Sequence, residues 1–471
     1  MKNICIVGAG TAGLISALII KQSLNVKVTI IKSDKIGIIG VGEGSENKFT
    51  QFLKFCNINK EEIIKETGAT LKYGILFEGW TNKDFIHEVS PKIFDVKKQQ
   101  YLAAFGYAIN NNLSTDKYTQ LNELKNNKVV NKYISDQFHF NTFKLNAYLI
   151  KKCKERNIKI IEDEINTIEI KNNKIFSLNK KYKFDFFIDA TGFKKLLINK
   201  LGGKWNSYSK YLPMNEAIAF PTKATKNYPA YTLAKAMSAG WMWRIPVQDR
   251  WGNGYVFDNK YINADQAKQE VEEYLGYKIE IGKNIKFNAG AIDKAWIGNC
   301  VAIGLSANFI EPLEASSIGS CIQQSFLLIN HLPNYNSLAV DEYNKSCTDL
   351  FENIRDFVLM HYLCNKKDSK FWKDLSVKIP DTLKLNLKKW QNRLPVAEDF
   401  SNNYILFYET NFALILKELN LIKVDTIKRE YKAKIDILDQ KAIENYYKMF
   451  YNYKKNLISH KKYIKEINEY I

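Results

Sequence analysis

The chain has 471 residues, 46% of them hydrophobic, and a formal net charge of +19. That length allows one large or two to three smaller domains, and the apolar content is ample for a sizeable core. Seven scattered cysteines without a CxxC pair argue against a disulfide framework or a zinc site and fit a reducing cytoplasm, and the five histidines show no metal-ligand spacing.

Residues 4–20 are largely apolar and follow Lys2, which superficially suggests a secretory leader. Three glycines at loop spacing and a strand at Ile4–Val7 explain the run better. No uninterrupted apolar run is long enough to span a bilayer, so a soluble, cytoplasmic protein is expected. Residues 8–13 are a turn, Ala12–Leu24 has helical periodicity and Val26–Ile31 is a second strand. This is the start of a βαβ unit. Lys48–Phe55 and Lys60–Thr67 read as helices, and the polar section 108–132 as a loop or insertion. Phe143–Asn157 is predicted helical, with a strand near Ile158–Ile161. Lys183–Ala190 is predicted to be a strand ending in a turn, residues 211–260 a sheet of their own, and Ala302–Leu305 another buried strand. From Ser316 onward the pattern is helical to the end.

Gly8, Gly10 and Gly13 form a GxGxxG that follows a strand and opens a helix. Glycine there permits a tight turn and close approach to a pyrophosphate, whose charge the helix N-terminus favours. The fingerprint expects an acid at the end of the second strand to hold the ribose, and Lys32 stands there instead. Lys32 suits a 2′-phosphate; alternatively Ser33 or Asp34 takes over the ribose. Further on, Gly40-Val41-Gly42-Glu43-Gly44-Ser45, Phe187-Ile188-Asp189-Ala190-Thr191-Gly192-Phe193 and Gly298 to Leu305 resemble FAD-binding segments of flavin enzymes, in the right order. Glu311-Pro312-Leu313-Glu314-Ala315-Ser316-Ser317-Ile318 sits where a helix is predicted to begin, so free backbone N–H groups favour anions. Two tryptophans one residue apart, Trp241 and Trp243, are closed by Ile245-Pro246. Read alone, they are aromatics on one face of a strand.

Together these segments resemble the flavin-dependent halogenases, the family that includes the tryptophan halogenases. The resemblance covers most of residues 1–425. It implies an α/β, flavin monooxygenase-like FAD-binding fold: a Rossmann-type βαβ module plus a second sheet, with a mostly helical C-terminal part. Residues 1–330 would form the FAD-binding unit, with an insertion near 81–137 and the second sheet near 205–290. Residues 331–471 would form the helical region. It also implies FAD as cofactor, supplied as FADH2 by a separate flavin reductase, with O2 and a halide (chloride, bromide or iodide) as co-substrates. Gly8, Gly10, Thr11, Ala12, Gly13, Gly42, Glu43, Asp189, Gly304 and Ile318 map to cofactor-binding positions. Lys72, in Thr70 to Phe77, maps to the catalytic lysine and Glu314 to the catalytic glutamate. Lysine suits the task, since an ammonium can hydrogen-bond and polarise hypohalous acid and a neutral amine could form a haloamine, while the glutamate would stabilise developing positive charge or take the proton. Ser316 and Ser317, standing where the family has Thr-Gly, would line the halide site with their amides. Trp241 and Trp243 would stand between the flavin chamber and the substrate. His361 reads as structural rather than catalytic.

The implied reaction is halogenation of an electron-rich aromatic of indole or phenol type. The regions after Trp80 and Leu394 are shorter than in tryptophan halogenases, so free tryptophan is not the expected substrate. Two other readings stay open: a flavin-dependent aromatic hydroxylase, and a degenerate basic flavoprotein that binds nucleic acid. The lysines are spread along the chain in the manner of AT-rich codon usage, which speaks against a nucleic-acid patch. Their field would draw in halide. No membrane and no metal are expected; a homodimer is expected by resemblance.

Overall fold

The computed structural model describes residues 1–37, 43–89, 137–434 and 458–470, with residues 106–107, 109–111, 125, 128–129 and 441 besides. The apolar run Asn3–Val7 is a strand, buried from Ile4 onward. Helix Thr11–Ser23 follows, and its Leu14 to Ile20 stretch is entirely buried because other helices cover it on the side away from the sheet. A helix buried almost all round reads as a near-continuous apolar run, which is what this sequence has.

Six strands form the first sheet, in the order Trp296–Ile297, Cys300–Ala302, Phe186–Asp189, Asn3–Val7, Lys27–Lys32 and Lys159–Glu162. The inner pairs are parallel, with Ile6 opposite Ile188 on one side and Ile30 on the other. Ligand crevices of such sheets open beyond the carboxyl ends of the strands. Here that edge is marked by Gly8, Lys32 and Ala190.

A second sheet has seven strands: Lys283–Lys286, Glu216–Lys223, Arg250–Phe257, Gly240–Pro246, Tyr231–Met237, Gly74–Glu78 and Phe85–Glu88. It is antiparallel except where Tyr231–Met237 runs beside Gly74–Glu78. A three-stranded patch of Glu43–Gly44, Phe138–Phe140 and Thr70–Leu71 lies at its border. Helices Ser316–His331 and Ser337–His361 pack on each other, and the former packs on Thr11–Ser23.

Most expected elements appear with small shifts: Thr11–Ser23, Asn47–Phe55, Lys60–Thr67, Thr142–Glu155 and Lys159–Glu162. Two differ. The strand expected over Ala302–Leu305 stops at Ala302, because Gly304 turns left-handed at φ +64° and a 3-10 turn, Gly304–Ser306, begins. The last segment is not wholly helical, since Ile458–Ser459 pairs with Lys128–Val129. Most of the expected 108–132 loop lies outside the described residues. No helix among the described residues is long and apolar enough to cross a membrane.

Candidate active site

The chain turns at Gly8 with φ +110°. A Cβ on Gly8 would sit 2.2 Å from the Ala190 carbonyl oxygen, and one on Gly13 would sit 2.1 Å from that of Gly8. Only glycine lets the turn fold this tightly. A Cβ on Gly10 meets nothing within 4 Å, because a cavity of about 890 Å³ opens there. No side chain caps helix Thr11–Ser23, so its first-turn amides are left to a ligand in that cavity.

The cavity is long. Gly8, Gly10, Thr11 and Ala12 line one part with Lys32 and Asp34, and Gly304, Trp241, Trp243, Glu314, Ser317 and Ile318 line the rest. Its glycine floor and uncapped helix N-terminus fit a dinucleotide's pyrophosphate. Past the second strand Lys32 is paired with Asp34, and this contact holds the Asp34 carboxyl below its ordinary range. Asp189 does not line the cavity. Its buried carboxylate accepts from Thr191 N, Thr191 Oγ1, Ser306 Oγ, Leu197 N and Ile198 N, at 2.7–3.1 Å, and so braces the turn that forms the wall. Gly42 and the side chain of Glu43 lie outside the described residues.

Lys72 is fully buried. Its backbone N–H donates to the Gln137 carbonyl at 2.8 Å, which fixes it against the small three-stranded patch. Its Nζ donates to the Ser45 carbonyl at 3.0 Å, and a Cβ on Gly44 would come within 3.0 Å of that Nζ. Burial pushes the ammonium down to about 8, against the opposing pull of Glu314 and Glu46. Glu46 is buried as well, capping helix Asn47–Phe55 through the Lys48 N–H, and a Cβ on Gly319 would clash with its Oε1.

Glu314 is 1% exposed. Glu314 and Ala315 are successive residues in left-handed backbone, at φ +70° and +53°. That conformation costs a non-glycine residue roughly 1–3 kcal/mol. It drops the Glu314 side chain between two imidazoles. His87 Nδ1 lies 2.5 Å from Oε2, and His361 Nε2 lies 3.0 Å from Oε1. Burial favours the neutral acid, but the two imidazoles outweigh it and hold the carboxyl well below its usual range. Helix Ser316–His331 starts immediately after, with Ala315 as a cap that has no side-chain oxygen to offer. Ser317 lines the cavity; Ser316 is buried behind it.

Trp241 and Trp243 lie on one face of strand Gly240–Pro246, with ring centroids 6.1 Å apart. Trp243 fits because Gly254, opposite it, has no Cβ; one built there would fall 2.1 Å from the indole. Trp241 Nε1 donates to Glu311 Oε1 at 3.0 Å, and the Tyr362 hydroxyl donates to the same oxygen. Burial raises the Glu311 carboxyl to about 7.

The structure therefore brings Lys72, Glu314, Ser317, Trp241 and Trp243 to one end of the cavity or against its wall. Sequence reasoning did not single out His87, Glu46 or Glu311, and His361, read there as structural, is the second imidazole beside Glu314. A lone histidine on an edge strand carries no local signal. His87 and His361 meet Glu314 only through strand pairing and helix packing.

The sequence profile of the tryptophan halogenase family matches residues 3–430. The chain is 28% identical over 441 residues to the 7-chloro-L-tryptophan 6-halogenase KtzR of Kutzneria sp. (strain 744), covering 83% of this chain and 86% of that one. The solved tryptophan halogenase of Shewanella frigidimarina superposes with a TM-score of 0.89 at 23% identity, over 100% and 98% of the two chains, which bears on the fold alone. Xcc4156, a flavin-dependent halogenase from Xanthomonas campestris, gives a TM-score of 0.86 at 26% identity, over 99% and 98%. The cavity built for a dinucleotide, the α/β fold and the match along nearly the whole chain agree: the chain belongs to the tryptophan halogenase family and is a flavin-dependent halogenase, using FADH2, O2 and halide on an aromatic substrate.

Proposed function

We propose that this halogenase acts on an electron-rich aromatic of indole or phenol type, with Lys72 guiding the halogen and Glu314 receiving the proton. The observation that supports this best is the burial of an ammonium and a carboxylate within electrostatic reach of each other, beside the end of the cavity. Reduced flavin with O2 supplies the oxidising equivalent that turns halide into hypohalous acid. Gly8, Gly10, Thr11, Ala12, Gly13, Gly304 and Ile318 would hold the cofactor. The amides of Ser316 and Ser317 would offer the halide a helix N-terminus.

The Lys72 ammonium donates to hypohalous acid and orients it. The ring's electron pair forms the carbon–halogen bond as the halogen–oxygen bond breaks. The oxygen leaves as water with a proton from Lys72. The ring C–H bond then breaks, its pair restores aromaticity, and the proton passes to Glu314. Trp241 and Trp243 wall the cavity and keep the aromatic substrate from the flavin. FADH2 would be delivered by a separate reductase, and the protein would act in the cytoplasm as a homodimer.

The test is an aerobic assay with FAD, a generic flavin reductase and NADH, run on a panel of indoles and phenols with tryptophan included. Chloride, bromide and iodide are tested separately, with mass spectrometric readout. A halogen isotope pattern that disappears in Lys72→Ala and in Glu314→Gln, while both variants keep bound FAD, is the expected result. Halogenation retained in either variant overturns the role given to that residue.

A further inference from the structure

The protonation pattern around Glu314 follows from hydrogen-bond logic. The Tyr408 backbone N–H can only donate, and it lies 2.8 Å from Asn411 Oδ1. The Asn411 amide nitrogen therefore faces His87 Nε2, at 3.1 Å, and donates to it. His87 Nε2 is thus an acceptor, and the ring proton sits on Nδ1, facing Glu314 Oε2.

His361 differs. Its Nδ1 is 2.8 Å from the Phe357 carbonyl, which can only accept, so Nδ1 carries a proton. Its Nε2 is 3.0 Å from Glu314 Oε1, in an ion-pair contact that falls short of hydrogen-bond alignment. A neutral His361 would put a bare nitrogen lone pair against a carboxylate oxygen in a dry interior. Phe77 stacks on its ring at a centroid distance of 4.9 Å, and Trp80 and Phe357 close the other sides, so the ring has no room to turn away.

We propose that His361 is an imidazolium and His87 a neutral Nδ1–H tautomer, and that together they are the positioning residues of Glu314, keeping it an ionised, single-orientation proton acceptor. The mechanistic part rests on the role given to Glu314 above. Each carboxylate oxygen keeps a second lone pair for the proton that the ring releases. The charged or titratable groups facing Glu314 are His87 on its edge strand, His361 on its helix and Lys72 from the sheet border. Glu46 lies beyond Lys72, and Asn411 beyond His87.

The test begins with the resting protein. With only five histidines, ¹⁵N-histidine labelling gives a readable spectrum, assigned with His361→Gln and His87→Gln. At pH 7, His361 should show two protonated ring nitrogens, and His87 one protonated Nδ1 with an unprotonated Nε2. A neutral His361 overturns the proposal. The second readout is kcat against pH. The side-chain amide introduced by His361→Gln offers an N–H without charge, so the Glu314 carboxyl should protonate more easily and the acidic limb should move up by about one unit or more. A uniform loss at all pH values, with the limb unmoved, would make His361 merely structural and overturn the proposal. A wild-type protein that halogenates nothing would sink the role given to Glu314, yet the spectrum would still decide the charge of His361.

Discussion

At the residue scale, the role proposed for Lys72 sets an expectation for the alkaline side. Burial brings its ammonium down to about 8, and in the proposed step it must be charged to give up a proton to the leaving oxygen. Halogenation should be sustained below that pH and fall as pH rises through it, with substrate and cofactor saturating. Lys72→Ala should lower kcat by about 10²–10⁴-fold, the usual worth of such a group, or more. Glu311 makes the opposite kind of prediction, about stability. Its folded value of about 7 lies above the 4.5 of an exposed glutamate. The folded protein therefore holds more protons than the unfolded one between those values, and stability falls as pH rises through that window. Glu311→Gln keeps an acceptor for Trp241 and Tyr362 but removes the charge. The drop in Tm from pH 5 to pH 8 should shrink in that variant, as differential scanning fluorimetry would show; an unchanged drop would mean that Glu311 does not titrate there. The burial that shifts these groups was not legible in the sequence. Lys72 and Glu314 stood out because their neighbours form extended motifs, whereas burial beside an indole N–H is a property of packing, which Glu311 acquires only when strand Gly240–Pro246 meets the turn at Pro312.

At the scale of elements, much was legible. A helix with one buried face or a strand buried on both sides leaves its period in the chain, and Thr11–Ser23 and Asn3–Val7 show it. The strand end at Ala302 was not visible, since Ala302 to Leu305 is apolar throughout and only the φ of Gly304 breaks it. Asp189 shows a related limit. Sequence places it at the end of a cofactor-side strand, but whether its carboxylate turns inward depends on the five donors that gather there. Gly254 supports a direct test of the tryptophan wall. Gly254→Ala would drive a methyl group into Trp243, an overpacking cost of roughly 1–3 kcal/mol. Unfolding should report that loss, and the Trp243 emission should shift; a variant as stable as the parent would show that the wall yields freely.

For the whole molecule, the charge of +19 gives a prediction about capture rather than fold. A positive field concentrates anions, and salt screens it over about 10 Å at 0.1 M. The apparent KM for bromide should rise as a non-halide salt is added, while kcat holds. A flat KM would leave the lysines without a part in halide capture. The architecture explains why the field and the chemistry can be separate. The first sheet and its first helix border the cavity, the second sheet supplies the tryptophans, Lys72 lies between that sheet and the three-stranded patch, Glu314 sits in the turn before helix Ser316–His331, and His361 ends helix Ser337–His361.

The paired left-handed residues Glu314 and Ala315 carry one more consequence. Ala315 resists its own backbone geometry, and glycine would not. Ala315→Gly should therefore leave the melting temperature unchanged or raise it, and at the same time let the Glu314 carboxylate wander from its imidazole clamp. A laboratory selection for heat resistance alone would be drawn to this position early, and would return sturdier proteins that halogenate less well.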